Sequence, residues 1–500
     1  MTNRFVLISA ACCMAVQAAT YYVDSREGRD SNPGTSPSAA WATLAKVQSA
    51  TLGPGDRVLL RADSSWTGQL LINRSGAAGK PIVFDRYGEG ARPRIEGQGE
   101  VEDAVLIYNA QQIEVRNLEV TNSGPAPAVR RGVYIHLQNF GTAKHIVVAR
   151  MYVHDVNGSN QRKDNGGIIF STDGERVASR FDGLTIERNI VWKVDRSGIV
   201  ARSYHARRKH WFPSLGVVIR DNLVEDVGGD GITPWATDGA IIEHNIAREC
   251  NRRAGSYNAG IWPWSTDGTV VQLNEAAFVR TARDGEGFDS DYNSHNSLFQ
   301  YNYSHDNEGG FMLICSPGAA SGFDIGNTGT EVRYNISRND RARAFHLGGL
   351  VDAQIHDNAI YVGADLDIQI VVAGDWKGWP DGVVFRDNLF FVQGVARYGY
   401  AREEDRDEQG RMQVRPGWGP SGRIVFDHNR YVGKHVDRPE DTHAIVEEHA
   451  EPPALDWEAP RFDPANPEGF DGFLERHRVW MLNLFDKQFG KPVKLRQAAE

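Results

Sequence analysis

The chain has 500 residues, 41% of them apolar and 24% charged, and carries a net charge of −10 at pH 7. That is the make-up of a water-soluble globular protein, and its net acidity excludes the broad cationic face that nucleic-acid binding needs. The 52 glycines, many in Asn-Gly and Asp-Gly pairs, predict frequent tight turns and hence a β-rich fold.

At the N-terminus, Arg4 precedes an apolar run from Phe5 to Val16 and small residues ending at Ala18 or Ala19. This is the layout of a secretory signal. It predicts that residues 1–19 are removed and that the mature protein is periplasmic or extracellular, the alternative being a buried N-terminal strand or helix. Cys12 follows too short an apolar run for a good lipid-anchor site. Cleavage leaves Cys250 and Cys315, too few for a disulfide framework, and the sequence does not say whether they pair. No later apolar run is long enough to span a bilayer.

Residues 20–105 open with "YYVDSREGRDSNPGTSPSAAWATLAKV", a strand, a Gly/Asn/Pro turn and a short helix that form an entry and cap. From 106 to 435 one short pattern recurs, as in "IEVRNLEV", "LTIERNIV", "VVIRDNLV" and "AIIEHNIA". Its asparagines are Asn117, Asn189, Asn222, Asn245, Asn274, Asn302, Asn335, Asn358, Asn388 and Asn429, with Arg150 in the same slot. The repeat averages about 31 residues and is as short as about 23, in the solenoid range. Period-two alternation inside each unit makes it a coil of strands and excludes helical solenoids. Asn suits the turn between strands because it tolerates left-handed backbone angles, and its amide can bond the Asn one rung away. A series of ordinary hairpins would not keep the same apolar phase before each Asn.

A second short strand follows each Asn strand, opening on a small residue and then a large apolar one: "GGIIFS", "SGIVAR", "DGITPW", "AGIWPW", "EGFDSD", "GGFMLI", "RAFHLG". Aligned this way, Ile168, Ile199, Ile232, Ile261, Phe288, Phe311 and Phe345 form one inward column. On these patterns the chain resembles the right-handed parallel β-helix proteins of the pectate-lyase-like superfamily, over roughly residues 20 to 435. The resemblance implies an all-β solenoid and leaves the activity open, since the superfamily holds lyases, hydrolases, epimerases and phage spikes. Of the polygalacturonase motifs in that superfamily, "DGEGFDSD" matches only the Asn-Thr-Asp, and loosely. The paired Asp-Asp, Gly-His-Gly and Arg-Ile-Lys are absent, as is the Asn-Gly-Gly-Glu of the alginate-lyase branch, so no residue role carries over. Residues 436–500 leave the ladder as a Pro-rich acidic segment and then a helix in "GFDGFLERHRVWMLNLFDKQFG", placed over an open sheet face or the coil's end.

With Phe288 inward, alternation turns Asp289 and Asp291 outward. The two preceding rungs then expose Trp262 with Trp264 and Thr233 with Trp235, and the one before exposes Val200 and Arg202. The two following rungs expose Met312 with Ile314, and His346. Exposed tryptophans beside carboxylates suit a sugar, whose CH face covers an indole, unless the loop at 202–214 folds over them. Asp289 and Asp291 stand about 6.8 Å apart at the backbone, which suits the acid and base of an inverting glycosidase, with roughly 6.5–9.5 Å between carboxyls; rotamers could close that gap to a retaining one. Two other readings of "DGEGFDSDYNSHN" stay open: a Ca²⁺ site to which Asp284 and Glu286 add ligands, and a solvated turn.

Weaker candidates are Asp230 as a third acid, His346 as acid or substrate ligand, and His305 and Glu308, turn residues that reach a substrate if the turn faces it. The basic loop "RSYHARRKHW" offers Arg202, His205 and Lys209 to a uronate or sulfate. The sequence therefore predicts a secreted, monomeric glycoside hydrolase without cofactor, using Asp289 and Asp291 on a glycan held by Trp235, Trp262 and Trp264. One alternative is a Ca²⁺-dependent polysaccharide lyase on a uronate-containing glycan, with Arg202, His205 or Lys209 in proton transfer; another is a non-catalytic glycan-binding surface protein.

Overall fold

The computed structural model describes residues 18–255, 257–281, 283–316, 325–376, 378–408, 412–417 and 423–497. Apart from Ala18 and Ala19, the expected signal segment lies outside the described residues. The chain begins with the strand Thr20–Val23, a 3₁₀ turn Pro37–Ala39 and the short helix Leu44–Ser49, capped by the Thr43 hydroxyl. From there it winds into a parallel β-helix of three faces.

The first face holds the strands before each corner Asn, from Ile113–Arg116 through Ile241–Glu243 to Ile424–Asp427. The second holds those after it, from Glu119–Asn122 through Glu275–Ala277 to Arg430–Val436. The third runs from Leu70–Ile72 through Ser197–Ser203 and Ile232–Thr233, passes Ile261, and continues as Glu286–Ser290, Gly310–Cys315, Arg343–Gly348 and Asp367–Gly374. Among the described residues the strands pair in parallel except where Leu389–Arg406 meets Met412–Pro416, and an isolated antiparallel bridge joins Ala77 and Lys80.

The inward column of the third face is Val133, Ile168, Ile199, Ile232, Ile261, Phe288, Met312, Phe345 and Val371, all fully buried. The sequence alignment placed Phe311 there, and the register corrects it by one residue. Glu286 pairs with Gly310, whose φ of 142° only glycine adopts readily, so Phe311 falls in the corner column of Gly287 and Ala344. Met312 and Ile314 therefore point inward, and Leu313 and Cys315 take the outward places beside Asp289 and Asp291.

The corner asparagines form a continuous buried ladder. From Asn189 to Asn429 each side-chain amide donates to the Oδ1 of the next at 2.9 to 3.0 Å, and Asn429 donates to Asp441. The left-handed angle falls on the residue before each of them, including the bulky Leu273, Tyr301 and Tyr334. Such a conformation costs roughly 1–2 kcal/mol per residue, which the ladder offsets. Asn117 and Arg150 themselves occupy the left-handed place, at φ 58° and 56°, and stand outside the ladder; the Asn117 amide donates to Asp85.

Helix Phe470–Phe489 lies across the second face. Phe473 and Leu474 pack on Ile190, Leu223 and Ile246, while Trp480, Met481 and Phe485 pack on Tyr303, Ile336 and Phe391. Beneath it runs a buried polar relay. The Arg248 guanidinium donates to both oxygens of Glu275 at 2.5 and 2.8 Å, His477 Nε2 meets Glu275 at 2.7 Å, His477 Nδ1 meets His244 Nε2 at 3.2 Å, and His244 Nδ1 meets Asp221 at 2.6 Å. Burial drives the His244 pKa down to about 4 despite its bond to Asp221.

Asn274→Ala removes a donor to Ile242 and Asn302 and orphans the Asn245 backbone N–H and one hydrogen of its amide, which keeps its bond to Ile219. We expect it to cost about 2–4 kcal/mol in urea unfolding, against about 1 kcal/mol or less for Asn117→Ala. His244 is neutral when folded and protonates near pH 6.5 when unfolded. Its contribution is therefore lost as pH falls from 6.5 towards 4, and unfolding midpoints of His244→Gln should fall less steeply than wild type over that window.

Candidate active site

Two outward columns run side by side along the third face. One carries Thr233, Trp262, Asp289, Leu313 and His346. The other carries Arg202, Trp235, Trp264, Asp291, Cys315, Gly348 and Gly374. Neighbouring rungs lie about 4.8 Å apart, so the tryptophans and the acids share one groove. Trp235 and Trp264 are half-buried with ring centroids 4.7 Å apart, and the Arg202 guanidinium lies 5.0 Å from the Trp235 ring.

Four carboxyls converge at the centre and are driven to different protonation states. Glu286 would be pushed up by burial, but Arg343, at 2.7 and 3.0 Å, and His346 outweigh this and hold it at about 2. Burial and the Glu286 charge raise Asp284 to about 7. Asp289, only 5% exposed, is raised well above the carboxylate range by burial and then by Asp291, Asp284 and Glu286. Burial also raises Asp291, to about 6, against the Tyr292 N–H at 2.6 Å and the Cys315 thiol, whose Sγ lies 3.2 Å from Oδ1. The half-exposed members are Asp284 and Asp291. Oxygens of Asp289 and Asp291 and Cys315 Sγ lie within 4.8 Å of one another, closer than the roughly 6.5–9.5 Å of an inverting pair.

Several expected site residues are placed otherwise. Trp262 is 5% exposed, covered by Lys163, whose ammonium sits 4.6 Å from its ring, and its Nε1 donates to Asp230. Asp230 is fully buried and accepts from Lys163 at 2.9 Å and Arg196 at 3.1 Å, so it anchors Trp262 and cannot reach a substrate. His346, also 5% exposed, lies under Trp376 and beside Glu286. His305 belongs to the second face, held between Asp306 and Glu275 under the C-terminal helix. Glu308 accepts from Arg280 and from the Thr281 N–H, which closes a turn. Val200 and Thr233 are outward yet fully buried.

The basic loop is fixed by its own contacts. Arg208 forms a two-pronged pair with Asp267 at 2.6 and 2.7 Å and donates to Asn293, while His205 accepts the Ser179 N–H. Lys209 is exposed. A Ca²⁺ site fits the cluster poorly: Arg343 occupies Glu286, and the third group beside Asp289 and Asp291 is a soft thiol where calcium takes hard oxygens. Cys250 and Cys315 are both unpaired and buried. Sequence reasoning missed Lys163, Arg343 and Cys315. Lys163 and Arg343 carry no motif, and Cys315 was masked by the one-residue register error.

A parallel β-helix bearing an acidic, tryptophan-lined groove on one face is the class of protein this structure defines. Residues 166–364 match the family model described as the right handed beta helix region. The chain is similar to the lacto-N-biosidase of Bifidobacterium longum subsp. longum, 31% identical over 70% of this chain. It spans 28% of that relative's length. It is also similar to the crystal structure of the GH136 lacto-N-biosidase from Eubacterium ramulus. For the native protein the TM-score is 0.62 at 30% identity, covering 69% of this chain and 64% of that one. For the selenomethionine derivative the TM-score is 0.64 at 26% identity, covering 83% and 67%.

A carboxyl with a raised folded pKa costs stability at every pH where the unfolded chain ionises it, and costs nothing below about pH 3.9. Asp289→Asn should therefore raise the denaturation midpoint at pH 7 above wild type and lose that advantage at pH 3, as read by urea unfolding.

Proposed function

We propose that this protein is a glycoside hydrolase acting on an oligosaccharide laid along the third face, with Asp291 as the ionised carboxylate and Asp284 as the proton donor. The observation that carries this reading is the split of protonation states within one cluster. Glu286 is fixed as an anion by Arg343, and burial together with the Glu286 charge keeps Asp284 protonated near neutral pH, as a general acid requires. Asp284 and Asp291 are also the half-exposed carboxyls, whereas Asp289 is too buried to meet a glycosidic oxygen. This replaces the pair Asp289 and Asp291, which alternation alone suggested, with Asp284 and Asp291.

In the reaction, Asp291 supplies negative charge to the sugar carbon or to a water beside it, while Asp284 gives its proton to the leaving oxygen. The Tyr292 N–H and the Cys315 thiol hold the Asp291 carboxylate in place. Trp264 and Trp235 offer indole surface one and two rungs before Asp291. The names of both relatives support a lacto-N-bioside as substrate. The N-terminal segment supports export, so the substrate would be met outside the cytoplasm.

The test is product release from neutral and uronate-containing oligosaccharides, including aryl lacto-N-bioside. Asp291→Asn and Asp284→Asn should each lower kcat at least about 100-fold. The wild-type kcat/KM profile should be a bell, its flanks near pH 6 and 7 belonging to the coupled cluster. Ultraviolet-absorbing unsaturated products, or binding with no turnover in the wild type, would overturn the hydrolase reading in favour of a lyase or a binding protein.

A further inference from the structure

Beyond Asp291 the outer column changes character. Cys315 is followed by Gly348 and then Gly374, paired in register, so two successive rungs present no side chain to the groove. The space is taken by Trp376. A Cβ added at Gly348 would lie 2.5 Å from the Trp376 ring, and one added at Gly374 2.6 Å from it. Real Cβ atoms do not approach so closely, so the pyrrole side of the indole rests where those side chains would stand. The ring is half-buried, lies 5.7 Å from the His346 ring, and packs above the outward side of the strands Arg343–Gly348 and Asp367–Gly374. Both glycines are the last residues of their strands, and glycine in a strand often marks a place where another group approaches the backbone closely. Here two glycines in register seat one indole.

That indole stands on the opposite side of the acids from Trp235 and Trp264, in the same outward column. From the Trp235 rung to the Gly374 rung the groove spans about 24 Å, with Asp291 inside it rather than at an end. A half-buried indole offers ring surface of the kind sugar CH groups cover. Taking the glycan reading of the groove as its basis, we propose that Trp376 is a second sugar platform, so that the groove holds sugar residues on both sides of the bond to be cleaved. Its ligand is a neutral hexose or N-acetylhexosamine ring of the same oligosaccharide, and Gly348 and Gly374 are the positions that keep the platform seated.

The experiment uses the full-length protein and a tetrasaccharide that carries a lacto-N-biosyl unit at its non-reducing end. Turnover is compared for wild type, Trp376→Ala, Trp376→Phe, Gly348→Ala and Trp264→Ala. Binding is titrated by intrinsic fluorescence in the Asp291→Asn background, with and without Trp376→Ala. The expected result is a KM raised roughly tenfold by Trp376→Ala with kcat little changed, a comparable rise in Gly348→Ala, near-recovery in Trp376→Phe, and a matching loss of affinity in the Asp291→Asn background. A KM that Trp376→Ala leaves unchanged while Trp264→Ala raises it would overturn this proposal and leave the hydrolase reading standing. A wild type that neither binds nor turns over the tetrasaccharide or any other glycan tested would overturn both. A fall in kcat and thermal stability at constant KM would mark Trp376 as a packing residue, which also overturns the proposal.

Discussion

The amide ladder from Asn189 to Asn429 is the constraint on which the rest of the structure depends. Each corner turns by putting one residue into the left-handed region, and several of those residues, such as Tyr301 and Tyr334, are poorly suited to it. The next residue's amide satisfies the backbone groups that the corner exposes and bonds the equivalent amide one rung on. A one-residue slip anywhere would break that chain of buried bonds, so the ladder fixes the register of every rung it joins. Side chains on the third face are thereby held in columns, and the groove is a consequence of those columns.

Within the groove, charge is divided unequally. Four carboxyls in one place cannot all ionise. Arg343 selects Glu286 as the permanent anion, and the other three, Asp284, Asp289 and Asp291, are left with raised pKa values. The cost of holding them so is borne by the packed coil beneath, whose inward column from Val133 to Val371 is fully buried. The C-terminal helix adds to this from the opposite side. It closes the second face with aromatic and aliphatic packing, and its His477 completes a relay from Glu275 to Asp221.

The strand alternation, the recurring Asn and the small-then-large openings were enough to read an all-β parallel solenoid, its inward column apart from one position, and the helix that covers it. They were also enough to bring Asp289, Asp291, Trp235 and Trp264 to one face, because alternation within a strand is local and a regular rung spacing carries it from unit to unit. The error at Phe311 has the same origin. Sequence alignment matches "GF" to "GF", whereas the corner glycine Gly310 pairs with Glu286, and only hydrogen-bonded register distinguishes the two. That single step concealed Cys315, the thiol that touches Asp291.

What the sequence by itself determined is therefore what depends on short-range periodicity: the fold, the sidedness of the strands other than Gly310–Cys315, and the convergence of acids and tryptophans. The tertiary structure decided which of those groups are accessible and which are charged. Trp262 and Trp264 are equivalent by alternation, yet Lys163, 99 residues before Trp262 in the chain, buries one and leaves the other half-exposed. Asp284, Glu286, Asp289 and Asp291 are alike as carboxyls, and their protonation states are set by Arg343, Lys163 and burial, contributed by other rungs and by loops between them. Electrostatic environment is a property of what surrounds a group in space, and a repeat pattern carries no record of what its loops fold over.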